Sequence, residues 1–167
     1  MASVSRSVRI QQQDFSVDAE IAQLRSRHPG AIGAIASFIG LVRDRREDAA
    51  VNVLHLEHYP GMTERSIQEI VDQAWARWQL LDTVIIHRVG DLLPNDQIVF
   101  VQVASAHRPD AFAACEFLMD YLKTDAVLWK RESQQTATST SSHWVQSTDD
   151  DYARRRDWED QAPPGEA

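Results

Sequence analysis

The chain has 167 residues, of which 43% are hydrophobic and 25% are charged, as in an ordinary soluble globular protein with one substantial core. Its formal net charge of −8 argues against a general nucleic-acid-binding or acidic-membrane-binding surface, because such partners are attracted by broad positive fields. The single cysteine, Cys115, cannot form an internal disulfide, and its apolar neighbours indicate a small core residue rather than a catalytic thiol. With no long apolar run and no secretory signal pattern, these features predict a cytoplasmic protein.

The first part of the chain predicts a strand, a helix and a pair of strands. Residues 4–10 alternate as a strand, and Ser16 can cap a helix that ends before the HPG sequence at 28–30. The apolar run at 31–43 and the segment at 51–59 predict two antiparallel strands that pair with each other across a polar loop.

The middle of the chain predicts two long helices and a central strand. Apolar residues recur at helical spacing over 63–78, and a strand follows at 83–90. The run at 97–106 is apolar on both faces, which is typical of a central strand. A helix then extends from Pro109, which suits a first helical turn, to about Thr124.

The end of the chain predicts a last pair of strands and a tail. The strands are expected at 126–133 and 142–147, and residues 149–167 are expected to form a flexible C-terminal tail after a single domain over 1–148. Strands outnumber helices and mostly follow each other in neighbouring pairs. The predicted fold class is therefore α+β, with a mainly antiparallel sheet and about three helices.

Cations at the two ends of the last predicted helix are candidates for an anion site. His107 and Arg108 lie where a strand gives way to the helix, and free backbone N–H groups there can help to bind an anion, although a plain helix-start turn explains them equally well. Lys123 and Lys130 flank the other end, where a lysine beside apolar surface can have its pKa lowered enough to act as a nucleophile or proton carrier. Most lysines at helix ends only complement the helix dipole.

Two strand segments carry weaker signals. Arg43 closes a strand in which Gly40 suggests a β-bulge or a close approach of another backbone. The sequence HLEHY invites a metal site, but His55 and Glu57 would face one side of a strand and His58 the other, so we expect no metal site.

Five motifs occur in the same order as in a known family: FIGLVR at 38–43, LEHYPGM at 56–62, IIHRVGDLLPND at 85–96, SAHR at 105–108 and FLMDYLKTDAVLWKRE at 117–132. Through them the chain resembles the catalytic (large) subunit of molybdopterin synthase, the MoaE family, from about Ala31 to Val145. The resemblance implies a hammerhead-like fold and a homodimer within a heterotetramer, whose other component is a thiocarboxylated, ubiquitin-like small subunit of the MoaD type. It implies transfer of sulfur from that C-terminal thiocarboxylate to cyclic pyranopterin monophosphate, which forms the molybdopterin dithiolene in molybdenum cofactor biosynthesis.

The resemblance also assigns roles to residues of this chain. Lys123 and Lys130 are the implied catalytic residues, and Lys123 is the expected reactive amine or proton carrier. The implied substrate-binding residues are Arg43, His107, Arg108, Arg131, Phe38 and Met119. Arginine suits a phosphate because its planar fork binds two oxygens without losing its charge. No cofactor is expected.

The chain departs from the family after Trp144, where WVQSTDDD lacks a basic residue that the family often carries. Arg154, Arg155 or Arg156 of the tail is the hypothesised substitute. The departure favours one alternative function, a non-catalytic scaffold that binds ubiquitin-like Gly-Gly tails. A phosphatase-like enzyme that uses the same cations without a sulfur donor is a separate and weaker alternative, because no metal ligands or clear nucleophile accompany them.

The length of the last predicted helix has a consequence for assembly. The rise from Pro109 to Lys123 is roughly 21 Å, so one small substrate cannot easily touch both ends. The resemblance implies that both ends serve one site, and the simplest arrangement is then a two-fold dimer in which one subunit offers His107 and Arg108 and the other offers the two lysines. A fold that brings the two ends together by another route is the alternative.

Overall fold

A computed structural model describes residues 5–44, 51–135 and 139–161. Along these residues the strands and helices follow in the order β1 (Ser5–Gln11), α1 (Val17–Arg27), β2 (Ala34–Leu41), β3 (Val51–His58), α2 (Met62–Arg77), β4 (Asp82–Arg88), β5 (Gly90–Leu92), β6 (Gln97–Ser105), α3 (Arg108–Thr124), β7 (Leu128–Gln135), β8 (Thr140–Val145) and α4 (Asp149–Glu159). The predicted α+β class with mainly antiparallel sheets is confirmed, and only β1 and β4 pair in parallel.

The first sheet has the strand order β1-β4-β6-β2, so the predicted central strand, β6, is an interior strand. Alternate residues of β6 point to opposite faces of the sheet. Val99, Val101 and Val103 belong to the main core cluster, to which α2 and α3 also contribute. Phe100 packs with Phe15 in a smaller cluster. Both faces of β6 are therefore buried, as its sequence predicted.

The second sheet has the order β5-β3-β7-β8 and is antiparallel throughout. The predicted pairing of β2 with β3 is wrong, because β2 pairs with β6, and β3 pairs with β5 and β7. The physical reason is the distribution of apolar and polar residues on the two faces of each strand. The doubly buried β6 needs an apolar neighbour, which β2 supplies, whereas β3 alternates apolar and polar residues and pairs with the similarly mixed β7. The polar loop expected between β2 and β3 falls largely outside the described residues.

The two helix boundaries predicted from capping residues agree with the structure. The Ser16 side chain accepts a hydrogen bond from the Ala19 N–H at 3.3 Å at the start of α1. Pro109 lies in the first turn of α3, which ends at Thr124. None of the helices among the described residues is both long and apolar enough to cross a membrane.

The C-terminal segment differs from the expected flexible tail, and it raises the number of described helices from about three to four. Residues 149–159 form α4, which packs on α3. Trp158 is only 8% exposed, and its Nε1–H donates to the Asp120 carboxylate at 2.7 Å. Arg155 donates to Asp125 at 2.8 Å and lies over the Tyr121 ring. One buried aromatic residue anchors a helix that is otherwise almost entirely polar, which is why hydrophobic periodicity did not predict it.

Candidate functional site

A cavity of about 330 Å³ lies where the C-terminal end of α3 meets the second sheet. Its walls come from the end of β2, from β3 and β7, and from the segment that joins β8 to α4. The polar and charged lining residues are Arg43, Asn52, Lys123, Lys130, Glu132, Gln146, Ser147, Thr148 and Asp151.

Three of the predicted site residues meet in this cavity. Arg43 follows β2, Lys123 lies in the last turn of α3, and Lys130 lies on β7. Lys123 and Lys130 are also the only two lysines among the 167 residues, whereas arginine occurs fifteen times. Arginine stays charged in proteins, whereas lysine can lose its proton when it is buried. The two side chains able to act as proton-exchanging amines are therefore concentrated in one cavity, a signal that the sequence itself contained.

The two lysines have different surroundings. The pKa of Lys130 is lowered, first by burial and then by the charge of Lys123, while Asp151 partly opposes the shift. The Lys123 side chain is 52% exposed, and its Nζ donates to the Asp151 carboxylate at 3.1 Å. The surroundings of Lys130 therefore favour loss of its proton, whereas the sequence-based expectation placed the reactive amine at Lys123, and that expectation stays a prediction.

Strand alternation explains which parts of the WKRE sequence reach the cavity. Lys130 and Glu132 point to it, whereas Arg131 points to the other face of β7. There the Arg131 guanidinium lies over the Trp144 ring, 5.7 Å from its centroid. Arg131 therefore does not line the cavity, although the resemblance implied a role in substrate binding.

His107 and Arg108 lie at the opposite end of α3, where both side chains are exposed. The turn before them is tightly packed, because a Cβ on Gly33 would lie 2.1 Å from the Ala106 carbonyl oxygen. The Ser105 Oγ accepts a hydrogen bond from the His107 N–H at 3.1 Å. The sequence prediction that these two residues are far from the lysines agrees with the structure of the single chain.

The two predicted apolar lining residues also lie outside the cavity. Phe38 is 40% exposed on β2, and Met119 is partly buried against the main core. The β-bulge expected at Gly40 is confirmed, because the pairing of β2 with β6 shifts register between Gly40 and Leu41. A Cβ on Gly40 would approach Val99 Cγ1 to 2.7 Å, so the residue is also a point of close packing.

The tail arginines do not replace the missing basic residue in this chain's cavity. None of Arg154, Arg155 and Arg156 lines it, and Arg155 is held by Asp125 and Glu159. The segment instead contributes Thr148 and Asp151, which form a capping box at the start of α4. Threonine followed three residues later by an acid was a capping signal that the sequence analysis missed.

The remaining chemical candidates have structural roles. Burial raises the pKa of the Cys115 thiol to about 11, which disfavours the reactive thiolate. His55 bonds to Glu57 and Asp91, and no cluster of three potential metal ligands occurs among the described residues.

Taken together, these features define an α+β protein with a cavity lined by one arginine and two lysines together with two acids. Comparison with known proteins identifies the family to which the chain belongs. The sequence model of the MoaE protein matches residues 10–125. The chain belongs to the MoaE family.

Individual relatives extend the similarity beyond the matched region. The chain is 55% identical over 139 residues to a molybdopterin synthase catalytic subunit of Ralstonia nicotianae, covering 83% of this chain and 76% of the relative. A molybdopterin biosynthesis MoaE protein from Burkholderia ambifaria has a similar structure, with a TM-score of 0.76, 47% identity and coverage of 93% of this chain and 99% of that one. A chain from a complex of subunits 1 and 2 of the Helicobacter pylori molybdopterin-converting factor shares the fold, with a TM-score of 0.64 at 16% identity over 80% of this chain and 87% of that one.

Proposed function

We propose that this protein is the catalytic subunit of a molybdopterin synthase. It takes sulfur from the C-terminal thiocarboxylate of a small ubiquitin-like subunit and transfers it to cyclic pyranopterin monophosphate in two successive rounds, each with a fresh thiocarboxylate, so that the two sulfur atoms of the molybdopterin dithiolene are supplied. The observation that carries the proposal is the meeting of Arg43 with both lysines of the chain in one cavity. The names of the similar proteins and the complex described for the Helicobacter pylori factor support it.

The reaction requires three things of the protein, and the cavity offers groups for each. The cyclic phosphate must be neutralised, for which Arg43 is suited because a guanidinium binds phosphate oxygens in pairs. Protons must move as sulfur attacks carbon and oxygen leaves, and Lys130 is the proposed proton carrier because it lines the cavity and its burial lowers its pKa, which makes the proton easier to release. The acyl link between substrate and partner tail must then be hydrolysed, which the same amine can assist by activating water.

The distant cations fit the same proposal if two copies of the chain associate. His107 and Arg108 would reach the cavity of a second copy, so that each site combines residues of both subunits. Arg131, Phe38 and Met119, which lie outside the cavity of their own chain, remain proposed substrate-binding residues only through such an assembly.

The proposed chemistry is tested by measuring molybdopterin, as its fluorescent oxidised derivative, from thiocarboxylated small subunit and cyclic pyranopterin monophosphate. Lys130→Arg keeps the positive charge but cannot release a proton, so we expect its turnover to fall by roughly 100-fold or more. Lys123→Arg keeps a positive charge at a position for which no proton transfer is proposed, and we expect a loss below roughly tenfold. Arg65→Ala, which removes an exposed cation of α2 outside the cavity, serves as the control.

The outcome also separates synthase from scaffold. Wild-type protein that binds the small subunit but yields no molybdopterin would favour a scaffold for Gly-Gly tails, and equal losses in the two Lys→Arg variants would contradict the assignment of Lys130. Release of phosphate without the small subunit would instead indicate the phosphatase-like reaction.

Sharing of the sites is tested by mixing inactive His107→Ala and Lys130→Ala proteins. Random exchange at equal amounts makes half of the dimers hybrid, and each hybrid has one intact shared site. We therefore expect roughly a quarter of wild-type activity. No recovery after verified subunit exchange would mean that each chain completes its own site.

A further inference from the structure

The carboxylate of Asp151 joins two parts of the molecule that are distant in sequence. Its Oδ1 accepts from Lys123 Nζ at 3.1 Å, at the end of α3. Its Oδ2 accepts from the Thr148 backbone N–H and hydroxyl, both at 2.9 Å, and so caps α4. The residue is poorly exposed, at 15% for the side chain, and it lines the cavity. One carboxylate therefore fixes the start of α4 and a cavity lysine at the same time.

Asp151 is held ionised and in place. Burial alone would raise its pKa, but hydrogen bonds from Thr148 and Lys123 outweigh burial, and the pKa of Asp151 is lowered. Two further contacts hold this region against α3. The Ser147 hydroxyl donates to the Lys123 carbonyl oxygen, and Trp158 anchors the far end of α4. The carboxylate thus reaches Lys123 from a supported position, although the lysine itself is half exposed.

The charged groups that face the cavity give the two lysines different electrostatic surroundings. The cations are Arg43, Lys123 and Lys130, and the acids are Glu132 and Asp151. His87 is buried nearby, and it is neutral at physiological pH because burial lowers its pKa to about 4. Lys123 has Asp151 as a direct ion-pair partner, whereas Lys130 feels the positive charge of Lys123 and is desolvated. An ion pair favours the charged form of a lysine, and burial beside a like charge favours the neutral form.

We propose that Asp151 is a positioning residue for the reaction, which fixes Lys123 as the charged, oriented member of the lysine pair and leaves Lys130 to move protons. This inference rests on the proposed function. Lys123 would supply a constant positive charge to the anionic substrate, while Lys130 would exchange its proton as oxygen leaves. The segment after Trp144 therefore brings the acid Asp151 to the cavity.

The competing explanation is that Asp151 only caps α4. Capping and lysine pairing use different oxygens of the carboxylate, so variants can separate them. Thr148→Ala removes the hydroxyl of the cap but keeps the carboxylate charge. Asp151→Asn removes the charge but keeps an oxygen acceptor for the cap. Asp150→Asn removes the same charge from an exposed neighbouring position outside the cavity. Asp151→Glu restores the charge on a longer side chain.

The experiment uses the full-length protein labelled with ¹³C at the lysine ε-carbons. Since the chain has two lysines, two resonances report the whole titration. Asp151→Asn should lower the apparent pKa values measured for the coupled pair, because the negative charge that opposes the lowering of the Lys130 pKa is lost. Asp150→Asn and Thr148→Ala should leave both values near wild type, and Asp151→Glu should restore them.

Activity is measured on the same proteins. The pH profile of turnover for Asp151→Asn should move to lower pH by the same amount as the lysine titration, whereas a purely structural role would lower activity without moving the profile. Lysine resonances that respond equally to Asp151→Asn and Asp150→Asn would overturn this inference alone. Wild-type protein that makes no molybdopterin, despite a normal lysine titration, would instead overturn the proposed function on which the inference rests. Should Asp151→Asn fail to fold, the titrations of Thr148→Ala and Asp151→Glu still test the proposal. Lysine pKa values that change in Thr148→Ala, which loses the hydroxyl of the cap but keeps the carboxylate charge, would contradict it.

Discussion

Replacing Trp158 tests whether α4 is an integral part of the fold. The indole ring contacts Trp78 and Phe117 edge to face, with ring centroids 5.7 Å and 5.6 Å apart, and belongs to the main core cluster. Its Nε1–H also donates to Asp120, which is itself buried. Trp158→Ala removes both the packing and the donor, whereas Trp158→Phe keeps most of the ring and removes only the donor.

The structure gives magnitudes for the two changes. Truncating a buried tryptophan to alanine costs about 3–5 kcal/mol, through lost apolar transfer and the cavity left behind. Leaving the buried Asp120 carboxyl group without its donor costs about 1–3 kcal/mol, which is the loss we expect for Trp158→Phe. If α4 undocks from α3 as a unit, the loss in Trp158→Ala is limited to the free energy of docking this helix.

The assay is urea unfolding at one fixed protein concentration, because self-association would add to the apparent stability. Tyr152→Ala is the matched control, since it truncates an exposed aromatic residue of the same helix and should change the free energy of unfolding by no more than about 0.5 kcal/mol. Limited proteolysis should also cut α4 in Trp158→Ala before the rest of the chain unfolds. If Trp158→Ala and Tyr152→Ala change the unfolding free energy equally, α4 does not dock as described.

Two further predictions concern buried titratable side chains. Raising the pKa of Cys115 from 9.0 to about 11 reduces its thiolate fraction near pH 8 roughly 100-fold, so the native thiol should react with a disulfide reagent far more slowly than the thiol of the urea-unfolded chain. The Cys115→Ala variant should keep its synthase activity. Rapid modification of the native thiol together with loss of turnover would instead indicate a catalytic thiol. Burial lowers the pKa of His87 from 6.5 to about 4, so between these pH values the unfolded chain binds a proton that the folded chain does not. The free energy of unfolding should therefore fall as the pH falls, by up to about 1.4 kcal/mol per pH unit. The His87→Gln variant should show a weaker pH dependence and the exposed His143→Gln variant should not, so equal slopes in the two variants would refute the assignment.

Much of the fold was predictable because its signals are local. The Ser16 cap, the Pro109 helix start and the doubly apolar run of β6 each agree with the structure. The pairing of β2 was not predictable in this way, since strand partners depend on which faces need cover from distant parts of the chain. The α4 helix was missed because one buried tryptophan, rather than a periodic apolar face, fixes it in place.

The site was only partly predictable for a related reason. Sequence and resemblance identified the cavity residues Arg43, Lys123 and Lys130, but they favoured Lys123 as the reactive amine without information on burial. The ranking of the two lysines depends on burial and on Asp151, which reaches Lys123 from 28 residues away. Side chains alternate between the two faces of β7, so Arg131 and its neighbour Lys130 point in opposite directions. Which of the two faces the cavity can be decided only when the packing of the sheet is known.

The way in which α4 is attached has a consequence for how such proteins can change. A strand cannot be altered freely, because a shift of one residue moves its side chains to the wrong face of a sheet. The helix α4 pairs with no strand, and it is tied to α3 by Trp158, Arg155 and Asp151. Substitutions elsewhere along its first turns can therefore accumulate while the two sheets keep their register. Because Asp151 is the residue of α4 that lines the cavity, exchanging this helix for one with a different residue at that position would change the charge of the cavity wall without rebuilding the two sheets.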